Sequence, residues 1–191
     1  MASSTDPTSE AKQLGPNSND KLFMAFLVLV VIAVTMLGVV NYKEALKTEA
    51  SKSNGEAWVA WLTEVGTTRF EEDTQIPACK GGVKPAANAK AGAQGTWGAC
   101  LAHILSATDL KDQINPFFNV APHFVAACVP SDRTLMGAIL LEDLMPTPPG
   151  SATPFVATQL VEADAIDYKM QLRLSVCDKG GYAIKVAEFE F

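Results

Sequence analysis

The 191-residue chain has little of what catalysis, metal binding or nucleic-acid binding requires. It contains only two histidines, His103 and His123, and no two of its four cysteines stand at the roughly two-to-four-residue spacing of structural zinc sites. Gly81 and Gly82 lack the glycine spacing and the Lys-Ser/Thr ending of a phosphate-binding loop. The net charge of -6 and the absence of a Lys/Arg cluster argue against a nucleic-acid partner. We therefore expect no enzymatic activity, no cofactor, no metal and no small-molecule substrate.

Two groups of residues offer weaker chemical alternatives. Cys100 and His103 lie close together on a predicted helix, and a free thiolate beside an imidazole would form a nucleophilic pair. A disulfide at Cys100 would remove that thiolate. Glu162, Asp164 and Asp167 could attract a cation, but no loop motif positions their oxygens. We interpret these three residues as a solvated acidic loop.

One segment lacks charge altogether, since none of the residues from Leu22 to Val40 is charged. A helix of about 20 apolar residues crosses the hydrocarbon core of a bilayer and satisfies its backbone hydrogen bonds internally. The alternative, a buried core helix, ordinarily keeps a polar face. The segment is longer than the roughly 7–15 apolar residues of a signal peptide, and no small-x-small cleavage site follows at Asn41. We predict a retained transmembrane helix over residues 22–40, in contact with membrane lipid.

The anchor separates three further regions. Residues 1–21 are rich in polar residues, which predicts a disordered tail or a processed leader. Residues 41–66 are predicted to be an amphipathic extension of the anchor helix, because apolar residues recur along one helical face. That face is formed by Trp58, Trp61, Leu62 and Val65. Residues 67–191 are predicted to form an extracytoplasmic α+β domain.

A loop and a short helix are predicted at the start of this domain. Residues 67–95 contain prolines, four glycines and three dispersed lysines, and we expect the lysines to be solvated. These lysines are Lys80, Lys84 and Lys90. Helical spacing of apolar residues from Trp97 predicts a second helix over residues 97–106, with Thr96 as its N-cap.

The remainder of the chain has the alternation of β-strands. Strands are predicted over residues 124–129, 135–141, 155–161, 168–177 and 182–191. Residues 178–181 are a predicted hairpin turn. The last strand changes parity between Val186 and Phe189, which predicts a bulge or burial on both faces. Short turns between consecutive strands favour an antiparallel meander.

All four cysteines lie beyond the anchor: Cys79, Cys100, Cys128 and Cys177. Their even count after a membrane span predicts two disulfides in an oxidising compartment, although four buried free thiols are the alternative. Of the three possible pairings we favour Cys79–Cys100 and Cys128–Cys177. The lysine distribution around the anchor favours the opposite orientation, but long domains translocate regardless of it. The cysteines therefore predict a periplasmic or otherwise extracytoplasmic domain on a cell (inner) membrane.

The order of these elements resembles that of type IV pilins and pseudopilins. The residues that carry the resemblance are the apolar run from Leu22, then Tyr42, then the amphipathic stretch Lys43-Glu44-Ala45-Leu46. Ile114-Asn115-Pro116-Phe117 is similar to the Asn-Pro-Phe of some pilin-like domains. The prepilin cleavage motif is not matched, since Lys21 stands where that motif has glycine and residues 24–26 contain no glutamate. The resemblance implies a long helix, apolar and then amphipathic, packed on a small antiparallel sheet with disulfides.

The resemblance also implies a function, that of a non-enzymatic subunit that assembles through its helix, with a surface filament as one place of assembly. The side chains assigned to contact with other membrane or filament subunits are Leu22, Phe23, Phe26, Leu29, Ile32, Met36, Trp58 and Trp61. Ala25, Ala33 and Thr35 do not form a small-xxx-small seam, which favours packing through larger side chains. The alternative function is that of a single-span accessory subunit contributing an extracytoplasmic domain to a larger membrane complex.

Overall fold

The structure, a computed structural model, describes residues 18–191. The predicted tail, residues 1–21, lies outside the described residues except at its end, where helix α1 begins. α1 comprises Ser18–Thr68 and contains both the predicted transmembrane segment and its amphipathic extension. The chain divides into two compact units, Met1–Tyr42 and Lys43–Phe191.

The second unit contains the remaining helix and one four-stranded sheet. Helix α2 is Trp97–Ala107, and the strands are β1 (Ile139–Pro146), β2 (Phe155–Gln159), β3 (Gln171–Cys177) and β4 (Ala183–Glu190). All neighbouring strands are antiparallel, in the order β2-β1-β3-β4. This architecture confirms the predicted α+β fold, with its long apolar N-terminal helix, small antiparallel sheet and two disulfides.

The strand order differs from the predicted meander, because β3 pairs with β1 and not with β2. Side chains of β1 and β3 are mostly buried, whereas all but the last residue of β2 are exposed. β2 therefore belongs at an edge, and the two strands richest in core side chains lie at the centre. Alternation along a strand indicates its faces but not its neighbours, which is why the order was not predicted.

Two predicted strands are altered. Residues 124–129, which lie between two prolines, form no strand, and only Phe124 makes an isolated bridge, to Ile139. The strand predicted over 135–141 begins later, at Ile139, because Arg133–Leu135 is a 3-10 turn and Gly137 has a φ of 72°. A positive φ is incompatible with a regular strand.

β4 contains the predicted irregularity. Leu174 pairs with Ala187 and Ser175 pairs with Lys185, so Val186 is the extra residue of a β-bulge. The bulge shifts the side-chain alternation by one position. As a result Val186 packs against the core, and Phe189 is buried within it.

The core of the second unit forms where α1 meets the sheet and α2. The buried face of α1 contributes Trp58, Leu62 and Val65, as its spacing predicted. Phe124 packs edge-on against the ring of Trp58, with 5.1 Å between centroids. Gly55 allows close packing of α1 on the sheet, because a Cβ there would lie 3.0 Å from the Val186 side chain.

The start of α2 is capped differently from the prediction. Thr96 occupies the N-cap position, but its hydroxyl donates to the carbonyl of Ala93 at 2.7 Å and does not cap the helix. The backbone N–H groups of Trp97 and Gly98 donate instead to the carbonyls of Asp164 and Glu162, each at 2.8 Å. The acidic loop therefore caps α2 through its backbone.

Candidate membrane anchor and assembly surface

Every residue of the apolar segment of α1, residues 22–40, is exposed. Its most apolar window has a mean hydropathy of 2.9 and is 0% buried, and it is long enough to cross a membrane. Near the N-terminus, these properties fit a single-pass anchor or a signal sequence. Six of the predicted assembly side chains are 50–74% exposed: Leu22, Phe23, Phe26, Leu29, Ile32 and Met36. An apolar surface of this extent requires cover by lipid or by another protein.

The small and weakly polar residues of the segment add little specificity to this surface. The hydroxyl of Thr35 donates to the carbonyl of Val31 at 2.7 Å, so its hydrogen bond is made within the helix. Gly38 has no atom within 4 Å of the position that a Cβ would occupy. Packing of residues 22–40 through large apolar side chains, which the absence of a small-xxx-small seam favours, stays a prediction.

The two tryptophans predicted for the assembly surface, Trp58 and Trp61, differ in burial. Trp58 is fully buried in the core of its own domain, so its assignment to an assembly surface is wrong. Its position on the apolar stripe did predict this burial. Trp61 is half-buried, packs at the edge of the core, and lines two surface clefts together with Glu64. Of the two residues, only Trp61 is therefore accessible to another molecule.

Both favoured cysteine pairings are present. Cys79–Cys100 closes the lysine-containing loop onto α2, with 4.5 Å between the Cα atoms. Cys128–Cys177 connects the segment before β1 to the end of β3, with 5.4 Å between the Cα atoms. Because Cys100 is bonded to Cys79, it has no thiolate to pair with His103 as a nucleophile.

The other chemical candidates have structural roles. His123 accepts a hydrogen bond from the Ile139 N–H at 2.9 Å through its backbone carbonyl, which positions the start of β1. The Asp164 carboxylate accepts from the Val161 N–H at 2.7 Å. Within residues 18–191, no group of three or more His, Cys, Asp or Glu side chains is placed to hold a metal ion.

Arg69 is a buried residue that sequence reasoning missed. Its guanidinium donates to the carbonyls of Ile166 at 2.7 Å and Phe191 at 3.3 Å, and also to the carbonyl of Tyr168. The same group lies 4.1 Å from the ring centroid of Phe191. Burial lowers the pKa of Arg69 from 12.5 to about 10, although the nearby Asp167 and Tyr168 act to raise it. The guanidinium is therefore still charged at neutral pH.

No sequence signal identifies this role of Arg69. The residue follows the last turn of an amphipathic helix, where an arginine is ordinarily solvated. Its partners are backbone carbonyls 97 to 122 positions away, which have no side-chain signature. The position of Arg69 therefore becomes visible only when the end of α1 is placed against the C-terminal segments.

Comparisons with known proteins add no family assignment: no protein-family model, curated protein or solved structure matches this chain.

Proposed function

We propose that this protein is a non-enzymatic, membrane-anchored structural subunit that assembles with other subunits through its apolar N-terminal helix. The observation that carries the proposal is the exposure of the whole apolar segment, which is 0% buried while the domain has its own complete core. A helix with large apolar side chains on every face has contact surface for lipid and for several neighbours. A pilin-like filament subunit has this arrangement.

The proposed orientation places the domain outside the cytoplasm, in the periplasm if the membrane is an inner membrane. Two disulfides, Cys79–Cys100 and Cys128–Cys177, support this orientation, because such bonds persist in oxidising compartments and are rare in the cytosol. In intact spheroplasts, we expect protease to digest the domain from residue 43 onward. Protection of the domain until the cells are lysed would contradict the orientation.

The assembly role is tested by replacing residues 22–40 with a scrambled segment of equal composition. Hydrophobicity and length are then unchanged, so the variant still inserts into the membrane. We expect it to be lost from the complex or filament that the unaltered protein enters, because the order of the side chains is lost. Copurification of the scrambled variant with the same partners would show that the helix serves only as an anchor.

A second function, that of an accessory subunit in a larger membrane complex, is favoured by one specific observation. Lys21 directly precedes the apolar run where prepilins have a glycine, and no glutamate lies near its start. Cross-linking in native membranes separates the two functions. A filament subunit gives ladders of its own copies, whereas an accessory subunit gives adducts of one copy with other proteins.

A further inference from the structure

The C-terminal end of α1 and the residues after it form an acidic cleft. We use this name for the cleft of about 320 Å³ that is lined by Trp61, Glu64, Glu71 and Asp73, among other residues. An adjoining cleft shares Trp61 and Glu64 and adds Asp109. The one basic residue between positions 64 and 73 is Arg69, which is buried and bound to backbone carbonyls. Within residues 18–191, none of the cleft carboxylates forms an ion pair.

The next segment of the chain carries only the opposite charge. Residues 74–108 contain no Asp or Glu, and their three lysines are Lys80, Lys84 and Lys90. We refer to residues 80–90 as the basic loop. Lys84 and Lys90 are exposed and form no ion pair with any described residue. The sequence alone suggested only solvated lysines, but the structure places them on a loop with defined attachments.

The basic loop is held at the same end of α1 as the acidic cleft. The backbone N–H of Gly81 donates to the carbonyl of Arg69 at 2.8 Å, and Lys80 Nζ donates to the carbonyl of Glu72 at 3.0 Å. The Cys79–Cys100 disulfide fixes the start of the loop. The start of the basic loop and the acidic cleft are therefore neighbours on the domain.

We propose that the basic loop of one copy docks into the acidic cleft of a neighbouring copy. Lys84 and Lys90 would lie against the carboxylates of Glu64, Glu71 and Asp73, and the half-buried Trp61 would offer a ring face to an ammonium group. In the proposed arrangement the loop of each copy lies in the cleft of the next copy, so the contact is heterologous and repeats in one direction. This inference rests on the proposed assembly function and names its partner, a second copy of this chain.

The contact sets direction and spacing more than affinity. Exposed ion pairs contribute little to binding, and salt screens them beyond a Debye length of about 8 Å at physiological ionic strength. Charge complementarity instead selects among the orientations that neighbouring copies can take. The apolar helix supplies the association, and the loop and cleft then fix how the domains are placed.

Zero-length carbodiimide cross-linking tests the contact on the full-length protein in native membranes. An equal mixture of copies labelled with nitrogen-14 and nitrogen-15 distinguishes links between copies from links within one copy. We expect mixed-isotope peptides that join Lys84 or Lys90 to Glu64, Glu71 or Asp73. If a longer amine-reactive reagent captures homomultimers but these links are missing, the docking contact is wrong and the assembly function stands. If no reagent captures homomultimers, the docking contact and the role as a filament subunit are both wrong.

Charge reversal provides a second test. Reversing the cleft (Glu71→Lys with Asp73→Lys) creates like-charge contacts, and we expect the links from Lys84 or Lys90 to the unaltered Glu64 to fall roughly tenfold. Reversing the loop (Lys84→Glu with Lys90→Glu) removes the amines that the carbodiimide needs, so this change is scored only in combination with the reversed cleft. Combining all four substitutions restores complementarity and should restore the links at the reversed residues. The control, Lys169→Glu with Lys185→Glu, changes two exposed lysines outside the basic loop and should leave the links unchanged. Failure of the combined variant to recover, with the domain folded, would overturn the proposal.

Discussion

Arg69 connects the end of α1 to two segments that are far from it in sequence. Its donors reach the carbonyls of Ile166 and Tyr168, which precede β3, and the carbonyl of Phe191 after β4. Three carbonyls from two segments are therefore satisfied by a single side chain. Removing this side chain leaves buried acceptors without donors, which is the costly kind of hydrogen-bond loss.

We expect Arg69→Met to lower the free energy of unfolding of the domain by about 3 kcal/mol, since methionine fills part of the volume but donates no hydrogen bond. Urea unfolding of both proteins measures the difference. Arg173→Met is the control, because Arg173 makes partly exposed ion pairs with Glu142 and Glu188 that contribute about 1 kcal/mol or less. Equal effects of the two substitutions would contradict the role assigned to Arg69.

The pKa of Arg69 defines the pH range in which its titration affects stability. The folded state has a pKa of about 10 against an ordinary value of 12.5, so between these values the unfolded state binds more protons. Stability therefore gains from this group as pH rises through that window, and the group gives no pH dependence below it. We expect the stability difference between the unaltered protein and Arg69→Met to be constant from about pH 6 to pH 8. A steep change in this range would contradict the assignment.

Gly66, like Gly55, lies where the chain approaches another segment closely. A Cβ at this position would lie 2.8 Å from the Cα of Phe191 and 2.9 Å from the carbonyl oxygen of Glu190, both backbone atoms. Gly66→Ala raises the helix propensity by about 1 kcal/mol, but we expect a net loss of about 1–3 kcal/mol because backbone must move. Thermal unfolding measures the stability of the variant. Ala60→Gly, at an exposed position of the same helix, gives the size of the helix-propensity effect alone. A stabilised Gly66→Ala protein would show that the approach is not tight.

At the scale of the elements, the two disulfides differ in the length of chain they close. Cys79–Cys100 spans 21 positions and Cys128–Cys177 spans 49. Since restriction of the unfolded chain grows with loop length, we expect a loss of about 3 kcal/mol for Cys79→Ala with Cys100→Ala and of about 4 kcal/mol for Cys128→Ala with Cys177→Ala. Denaturant unfolding of each double variant measures these losses. The reverse order would indicate that native-state packing and not loop length decides.

The elements with strong periodicity were predictable, and so were both disulfides. Val186 illustrates the success, because a change of alternation in β4 predicted the bulge found there. Phe124 illustrates the limit, since an apolar run between prolines predicted a strand and forms only a bridge. Local sequence also gave no information on the position of β2 at the edge. Strand neighbours are decided by packing across the whole sheet, which leaves no trace in the alternation of one strand.

For the candidate site, too, some features could be predicted from the sequence and others could not. The exposure of Leu22 and Phe26 followed from a run without charge, which needs no knowledge of the tertiary structure. Assigning Trp58 to the assembly surface failed because the same stripe also faces the core of its own domain. The acidic cleft could not be predicted, because Trp61, Glu64 and Asp73 come together only through the turn of chain after α1.

At the scale of the whole molecule, the docking contact implies a salt-dependent assembly. We expect homomultimers extracted in mild detergent to keep their number of copies when salt is raised from about 0.05 to 0.5 M, because the apolar helices hold them together. Over the same range, links between Lys84 or Lys90 and the acidic cleft should decline. Light scattering measures the number of copies in the homomultimer, and quantitative cross-linking measures the links between the lysines and the acidic cleft. Dissociation of the assembly in parallel with the links would mean that the charged contact provides the association.

The contact between α1 and the segments around β4 also has a consequence for the order of events during synthesis. Arg69 meets Phe191 across 122 positions, and Gly55 faces Val186 across a comparable length of chain. The packing of α1 cannot be completed early in synthesis, because the residues that it contacts emerge from the ribosome much later. In the interval, the apolar stripe of Trp58 and Leu62 has no cover of its own. The native cover of this stripe is therefore complete only after β4 has been synthesised.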